Sequence, residues 1–142
     1  FQYIDATGER RTIDAADVNA YLKSVAGDEF TAKDFRTWAG TVLAARALRE
    51  LAVFNSHAQA KRNVLQAVEA VAKRLGNTRA VCRKCYIHPE VVNAYLDGTL
   101  AESLNRKAGR ELCSNLKNLS REEAAVLTLL QRVLAKDSSL AA

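Results

Sequence analysis

The sequence has no long apolar run, no methionine and only three cysteines in its 142 residues. A helix that crosses a membrane needs about 20 mostly apolar residues in a row, so we expect no membrane partner. An odd number of cysteines, two of them three positions apart, does not form the paired framework of a disulfide-rich secreted domain. We therefore expect a protein of a reducing compartment, the cytoplasm. The missing methionine and the start at Phe1 indicate a piece of a longer protein.

Length and hydrophobic pattern predict one mainly α-helical domain over residues 1–142. With 49% apolar residues the chain can bury a single core. The only strand candidates flank Gly8, in a short hairpin at the N-terminus. Elsewhere apolar residues recur at helical spacing. The predicted helices cover about residues 14–25, 31–51, 57–75, 78–87 and 89–97, and a last helix opens at the capping box Ser120–Glu123, whereas the polar segment Asn105–Asn118 has no clear pattern.

Acidic residues are missing between Lys73 and Ile87, where basic residues concentrate. The whole chain has 21 lysines and arginines against 16 acidic residues. Five of the basic residues lie in this stretch, and without them the charges balance. The net positive charge is therefore local, which indicates a surface for a polyanion. The five residues are Lys73, Arg74, Arg79, Arg83 and Lys84.

A basic pair, Lys33 and Arg36, lies in the first turns of the second predicted helix. Three residues apart, they share one helix face. The guanidinium of arginine matches two phosphate oxygens and can hold the charge of a pentacoordinate transition state. Taken alone, such a pair is more often an ordinary solvated helix face.

Asn77 and Tyr86 lie within the basic stretch, nine residues apart. Asn77 follows Gly76, so its ordinary interpretation is the end of a helix. Tyr86 would ordinarily be a core or interface tyrosine. Functionally, a side-chain amide can donate to a phosphoryl oxygen without changing its protonation, and a tyrosine among cations is suited to act as an oxygen nucleophile. A helix would gather Arg79, Arg83 and Tyr86 on one side.

Together these segments resemble one protein family. The order and spacing of Lys33-Asp34-Phe35-Arg36-Thr37-Trp38, Leu75-Gly76-Asn77-Thr78, Ala80-Val81 and Tyr86 are similar to those of bacterial and poxvirus-type type IB DNA topoisomerases, relatives of the tyrosine recombinases. The resemblance implies a helical catalytic domain, an isomerase, that acts on double-stranded DNA. A tyrosine in that family forms a 3′-phosphotyrosyl intermediate and the strand is then religated. No metal, nucleotide or other cofactor is implied, and we expect a cytoplasmic, nucleoid-associated bacterial monomer.

The resemblance also implies residue roles. Tyr86 takes the position of the nucleophile and Arg36 that of the arginine on the scissile phosphate. Asn77 stands where most relatives have a histidine. Lys33 is expected to assist at the phosphate, and Arg79, Arg83 and Lys84 are expected to bind DNA.

Two further catalytic positions of the family are not expected in this chain. They are a lysine general acid on a β-hairpin and a second arginine, both upstream of the segment that resembles residues 1–9. We therefore expect the C-terminal portion of a catalytic domain, inactive or severely impaired when isolated.

Three other interpretations stay open at this point. Cys82 and Cys85, with His88 and Cys113, are a weak zinc pattern, because the predicted helix has no glycine to turn it into a knuckle. Free thiols are the ordinary alternative. A tyrosine recombinase would also use an arginine and a tyrosine in catalysis, although the sequence motif around Arg36 favours a topoisomerase. A noncatalytic helical DNA-binding domain is the third alternative.

Overall fold

The computed structural model describes residues 1–51, 53–105 and 118–140, and over these residues the fold is mainly α-helical. A two-stranded antiparallel hairpin at the N-terminus precedes the helices, as predicted. The segment 106–117, which includes Cys113 and most of the polar stretch without a clear pattern, lies outside the described residues. The elements are β1 Gln2–Ile4, β2 Arg10–Thr12, α1 Ala15–Ala26, α2 Ala32–Glu50, α3 His57–Leu75, α4 Arg79–Cys85, α5 Pro89–Leu96, α6 Leu100–Leu104 and α7 Arg121–Leu140.

Contacts divide the chain into two compact units. The first unit is Phe1–Arg36 and the second begins at Thr37. The boundary falls inside α2, whose first residues belong to the first unit. In the described ranges no helix is both long and apolar enough to cross a lipid bilayer.

The hairpin of the first unit is organised around the carboxylate of Asp5. Its strands pair Gln2 with Thr12. Asp5 accepts hydrogen bonds from the Thr7 hydroxyl at 2.6 Å and from Arg11 Nε at 2.9 Å. Together with the backbone amides of Glu9 and Thr7, these donors lower the pKa of Asp5 to about 2. A short turn that holds a carboxylate in this way is fixed locally, without a hydrophobic core.

Three side chains fix the helices of the first unit. Asp14 caps α1 and accepts from the backbone amides of Ala16 and Asp17. The side-chain oxygen of Asn19 accepts the amide of Ala32 at 2.9 Å, which connects α1 to the first residue of α2. Asp34 accepts both the amide and the hydroxyl of Thr31, and these bonds lower the pKa of its carboxyl. At the start of α2 the acceptor is thus the carboxylate of Asp34.

The second unit contains the hydrophobic core. Alanines supply much of the buried surface of α2 and α3, which lets backbones approach closely because a methyl group is the smallest side chain with a Cβ. The largest fully buried side chains come from six different helices. They are Leu48, Val71, Cys82, Val91, Tyr95, Leu100 and Val126.

Polar anchors inside this unit connect distant segments. The hydroxyl of Tyr95 donates to the Leu51 carbonyl and accepts from Nδ2 of Asn63 at 2.7 Å. At the start of α7, Ser120 and Glu123 form the predicted capping box. Because buried polar groups need partners, each anchor specifies one arrangement of the elements that it joins.

Candidate active site

The candidate nucleophile, Tyr86, is the residue at which α4 ends. Its backbone amide donates to the Cys82 carbonyl at 2.9 Å, and its own backbone has left the helix, with φ −125° and ψ −2°. The side chain is half-buried and packs against the core. The next residue, Ile87, is buried, and His88 caps α5 by accepting the Glu90 amide on Nδ1. Tyr86 therefore lies in a short connection between two helices.

One face of α2 holds this connection through Thr37, Gly40 and Thr41. The Thr37 hydroxyl donates to the carbonyl of Cys85 at 3.3 Å. The Thr41 hydroxyl accepts the amide of His88 at 3.1 Å. Between them, Gly40 lies directly against the Tyr86 backbone, since a Cβ built on Gly40 would be 2.4 Å from the Tyr86 carbonyl oxygen. Sequence reasoning missed these three residues.

The spacing of these three residues was a signal that could have been used. Positions i, i+3 and i+4 share one face of a helix. Two hydroxyls around a glycine on that face indicate a close contact with another backbone. The sequence does not say which backbone, because Thr41 and His88 are 47 positions apart.

Asn77 follows a glycine-terminated helix end, as its ordinary interpretation predicts. Gly76 adopts the left-handed conformation, with φ 65° and ψ 38°. The Asn77 amide donates to the Ala72 carbonyl at 2.9 Å, which is the outer bond of a Schellman motif. Its side-chain Nδ2 donates to the carbonyl of Leu75 at 3.0 Å. An amide nitrogen has two hydrogens, so this bond leaves the other hydrogen for a further acceptor.

The basic side chains of α4 differ in their surroundings. Arg79, Arg83 and Lys84 are all exposed. Arg79 Nη1 lies 3.9 Å from a carboxylate oxygen of Glu69, whose other oxygen is 3.5 Å from Lys73 Nζ. Within the described part of the chain, neither Arg83 nor Lys84 forms an ion pair. These two exposed cations of the predicted patch thus lie at the C-terminal end of α4, close in sequence to Tyr86.

Lys33 and Arg36 belong to the first unit and lie three residues apart in the first turns of α2. The Lys33 side chain is exposed, and that of Arg36 is half-buried. Arg36 directly precedes Thr37 in the chain. Both residues interact with other groups of the protein.

The cysteines of the zinc alternative have unequal surroundings. Cys82 is fully buried in the core, whereas Cys85 is exposed at the last position of α4. The third cysteine of that pattern, Cys113, is in the segment that is not described. Among the described residues no group of three or more histidine, cysteine or acidic side chains is placed to bind a metal ion.

The fold and these residues define a mainly helical unit in which a half-buried tyrosine follows an exposed basic helix. Residues 5–112 match the family model of the eukaryotic DNA topoisomerase I catalytic core. The chain belongs to this topoisomerase family. The matched range contains Arg36, Asn77 and Tyr86.

A viral relative supports the same assignment. The chain is 30% identical over 102 residues to a protein named DNA topoisomerase 1B of Acanthamoeba polyphaga mimivirus. The match covers 67% of this chain and 30% of the relative, so the chain corresponds to a part of that protein. The family resemblance predicted from the two short segments is confirmed.

Proposed function

We propose that residues 1–142 are the C-terminal portion of a type IB topoisomerase catalytic domain, which relaxes supercoiled double-stranded DNA. The observation that carries the proposal is the placement of Tyr86. It is half-buried at a fixed backbone position, separated from the exposed cations Arg83 and Lys84 only by Cys85. A DNA phosphate held by these cations would lie close to the phenol.

The proposed reaction exchanges one phosphodiester for another. The Tyr86 hydroxyl gives up its proton as Oη forms a bond to phosphorus, the bond from phosphorus to the 5′ oxygen breaks, and the 5′ oxygen takes up a proton. The 3′ end is then joined to the protein, and the 5′ end is free to rotate. In the reverse step the 5′ hydroxyl attacks the phosphotyrosine and restores the strand. Because an ester is conserved throughout, the cycle needs neither ATP nor a metal ion.

Three side chains are assigned to the phosphate. Arg36 offers two parallel donors to the non-bridging oxygens, and its charge is retained throughout the reaction. Lys33, on the same helix face, adds a second cation. Asn77 donates its remaining amide hydrogen and transfers no proton. In a preorganised site, such donors stabilise the transition state more than the ground state.

The helix α4 is assigned to DNA binding. Arg83 and Lys84 can neutralise backbone phosphates without first breaking an ion pair to any residue that the structure describes. Arg79 must compete with Glu69 for its charge. Contacts of this kind position a protein on duplex DNA without reading its sequence.

A covalent-trapping experiment tests the proposal in the intact protein, meaning this chain with any residues encoded on either side of it. Supercoiled plasmid is incubated with enzyme in EDTA without nucleotide, and the reaction is stopped with detergent. We expect relaxation and a protein–DNA adduct whose modified peptide contains Tyr86. In Tyr86→Phe both should be lost while duplex binding persists, since the attacking atom is gone.

Tyr21→Phe is the matched control, because it removes the hydroxyl of another tyrosine, 68% exposed on α1. It should relax plasmid at the wild-type rate. Relaxation by Tyr86→Phe would refute the nucleophile assignment. Strand exchange between two sites without relaxation would point to a recombinase. DNA binding without any adduct would point to a noncatalytic domain.

A further inference from the structure

The connection that carries Tyr86 is short. It begins where α4 ends at Cys85 and finishes where His88 caps α5. An in-line attack on phosphorus requires the phenol oxygen at a defined distance and angle, and a displacement of about 1 Å can cost about 100-fold in rate. The connection therefore needs an external support if Tyr86 is to be held in place.

The α2 face supplies such a support at three successive points. Thr37 holds the carbonyl before Tyr86, and Thr41 holds the amide two residues after it. Gly40 lets the backbone of α2 lie close to that of Tyr86, because any side chain at position 40 would overlap the Tyr86 carbonyl. Both sides of the candidate nucleophile are thereby bonded to one rigid helix.

The Thr41 hydroxyl can act only as an acceptor toward the His88 amide. It donates its single hydrogen to the Thr37 carbonyl at 2.7 Å, so only its lone pairs face the His88 amide. Thr41 is 2% exposed. Water is therefore a poor substitute for this acceptor, and loss of the hydroxyl would leave a backbone amide without its partner.

We infer that Thr37, Gly40 and Thr41 are positioning residues, a cradle that sets the Tyr86 backbone for attack on the DNA phosphate. The inference rests on the proposed function, since it assumes that Tyr86 is the nucleophile. The cradle acts through the backbone, so it touches no DNA. Its loss should lower the rate of the chemical step and leave DNA affinity unchanged.

The test compares substitutions at two threonines in the intact protein. Both lie in helices, and each hydroxyl donates to the carbonyl four residues earlier. Thr41→Val removes the hydroxyl and keeps the shape of the side chain. Thr128→Val is the matched control, because the Thr128 hydroxyl also donates to a carbonyl four residues earlier, at 2.8 Å, and the residue is 8% exposed. Among the described residues, Thr128 accepts no backbone amide from another segment.

Relaxation by excess enzyme, duplex affinity by fluorescence anisotropy and thermal unfolding are measured for each variant. For Thr41→Val we expect a relaxation rate about 10- to 100-fold lower at unchanged affinity, as a mispositioned reacting group predicts. Thr128→Val should relax plasmid at close to the wild-type rate even if its melting temperature falls. Thr41→Ser keeps the hydroxyl and should recover most of the rate.

Thr37→Val keeps the test decisive if Thr41→Val does not fold. The Thr37 bond is at the surface, so this variant should fold and still relax plasmid several-fold more slowly. Equal relaxation rates for wild type and the foldable cradle variants would overturn the inference, as would a loss in Thr128→Val as large as that in Thr41→Val. The Tyr86→Phe variant separates the two proposals. If it still relaxes plasmid, the proposed function itself fails, whereas an inactive Tyr86→Phe beside fully active cradle variants refutes the cradle alone.

Discussion

The indole of Trp38 donates a hydrogen bond from Nε1 to Oε1 of Glu123 at 3.2 Å, across 85 positions of the sequence. The other oxygen of the same carboxylate accepts the Ser120 amide at 2.8 Å. One side chain therefore caps α7 and also attaches it to α2, the helix that supports Tyr86. Hydrogen bonds from the Ser120 backbone, the Ser120 hydroxyl and Trp38 lower the pKa of Glu123.

This carboxylate should make stability depend on acid pH. Because its pKa is lower in the folded state, the stabilisation is present above the ordinary glutamate pKa and is lost as the pH falls through the lower folded pKa. Glu123→Gln should therefore melt below wild type at neutral pH, and the difference should shrink in acid. Thermal unfolding of both proteins across this range measures it. Glu29→Gln, an exposed carboxyl of the first unit, is the control, and an unchanged difference down to strong acid would contradict the assignment.

The hydroxyl of Tyr95 should contribute measurably to the stability of the second unit. It joins the Leu51 carbonyl to Asn63, and the residue is 2% exposed. Tyr95→Phe keeps the packing and leaves the two partners only the 3.4 Å bond from Asn63 Nδ2 to the Leu51 carbonyl, which we expect to cost about 1 kcal/mol in the free energy of unfolding. Denaturant titration measures it. The same change at the exposed Tyr21 should be close to neutral, and equal values at the two sites would argue against the buried bond.

Gly40→Ala should destabilise the protein although alanine is the better helix former. The helix propensity gain is about 1 kcal/mol. Against it stands the new Cβ at 2.4 Å from the Tyr86 carbonyl oxygen, which forces the backbones apart. Overpacking of this kind typically costs about 1–3 kcal/mol. Ala39→Gly, at the exposed neighbouring position, measures the contribution of helix propensity alone to the free energy of unfolding. A stabilised Gly40→Ala would show that the two backbones are not in close contact.

Duplex binding, if the proposed function holds, should depend on Glu69. Glu69→Gln releases Arg79 and Lys73, so affinity should rise and its salt dependence should steepen, by up to about 0.9 in log–log slope for each added phosphate contact. Fluorescence anisotropy at several salt concentrations measures both. Glu50→Gln is the matched control, since Glu50 pairs with Arg46 on α2. Arg83→Ala should shift both quantities in the opposite direction, and insensitivity to both Glu69→Gln and Arg83→Ala would place DNA elsewhere.

The last prediction concerns residues 1–142 in isolation. The family resemblance places a lysine general acid and a second arginine upstream, and general acid catalysis is typically worth about 100- to 10,000-fold in rate. The isolated chain should relax plasmid far more slowly than the intact protein. In a substrate with sulfur in place of the bridging 5′ oxygen, the leaving group is a thiolate that needs no proton. The isolated chain should therefore recover part of its cleavage activity on this substrate. Relaxation by the isolated chain at the intact rate would mean that a general acid lies among residues 1–142.

Local features of the fold could be predicted from the sequence, and contacts between distant segments could not. The C-terminal end of α3 follows from Gly76, and the start of α7 follows from the capping box at Ser120. Both features act within one helical turn. The helix that leads to Tyr86 follows from its residue pattern. In contrast, the partial neutralisation of Arg79 by Glu69 depends on how α3 and α4 meet after Gly76. Spacing alone therefore overstated the number of uncompensated cations in the basic stretch.

Position 40 also constrains how the gene can vary. Every single-base change that replaces a glycine codon introduces either a stop codon or a residue with a Cβ, and at Gly40 that atom would meet the backbone of Tyr86. Threonine codons, by contrast, reach serine in one base change, which keeps a hydroxyl at positions 37 and 41. We therefore expect serine to be tolerated at positions 37 and 41 and only glycine to be tolerated at position 40.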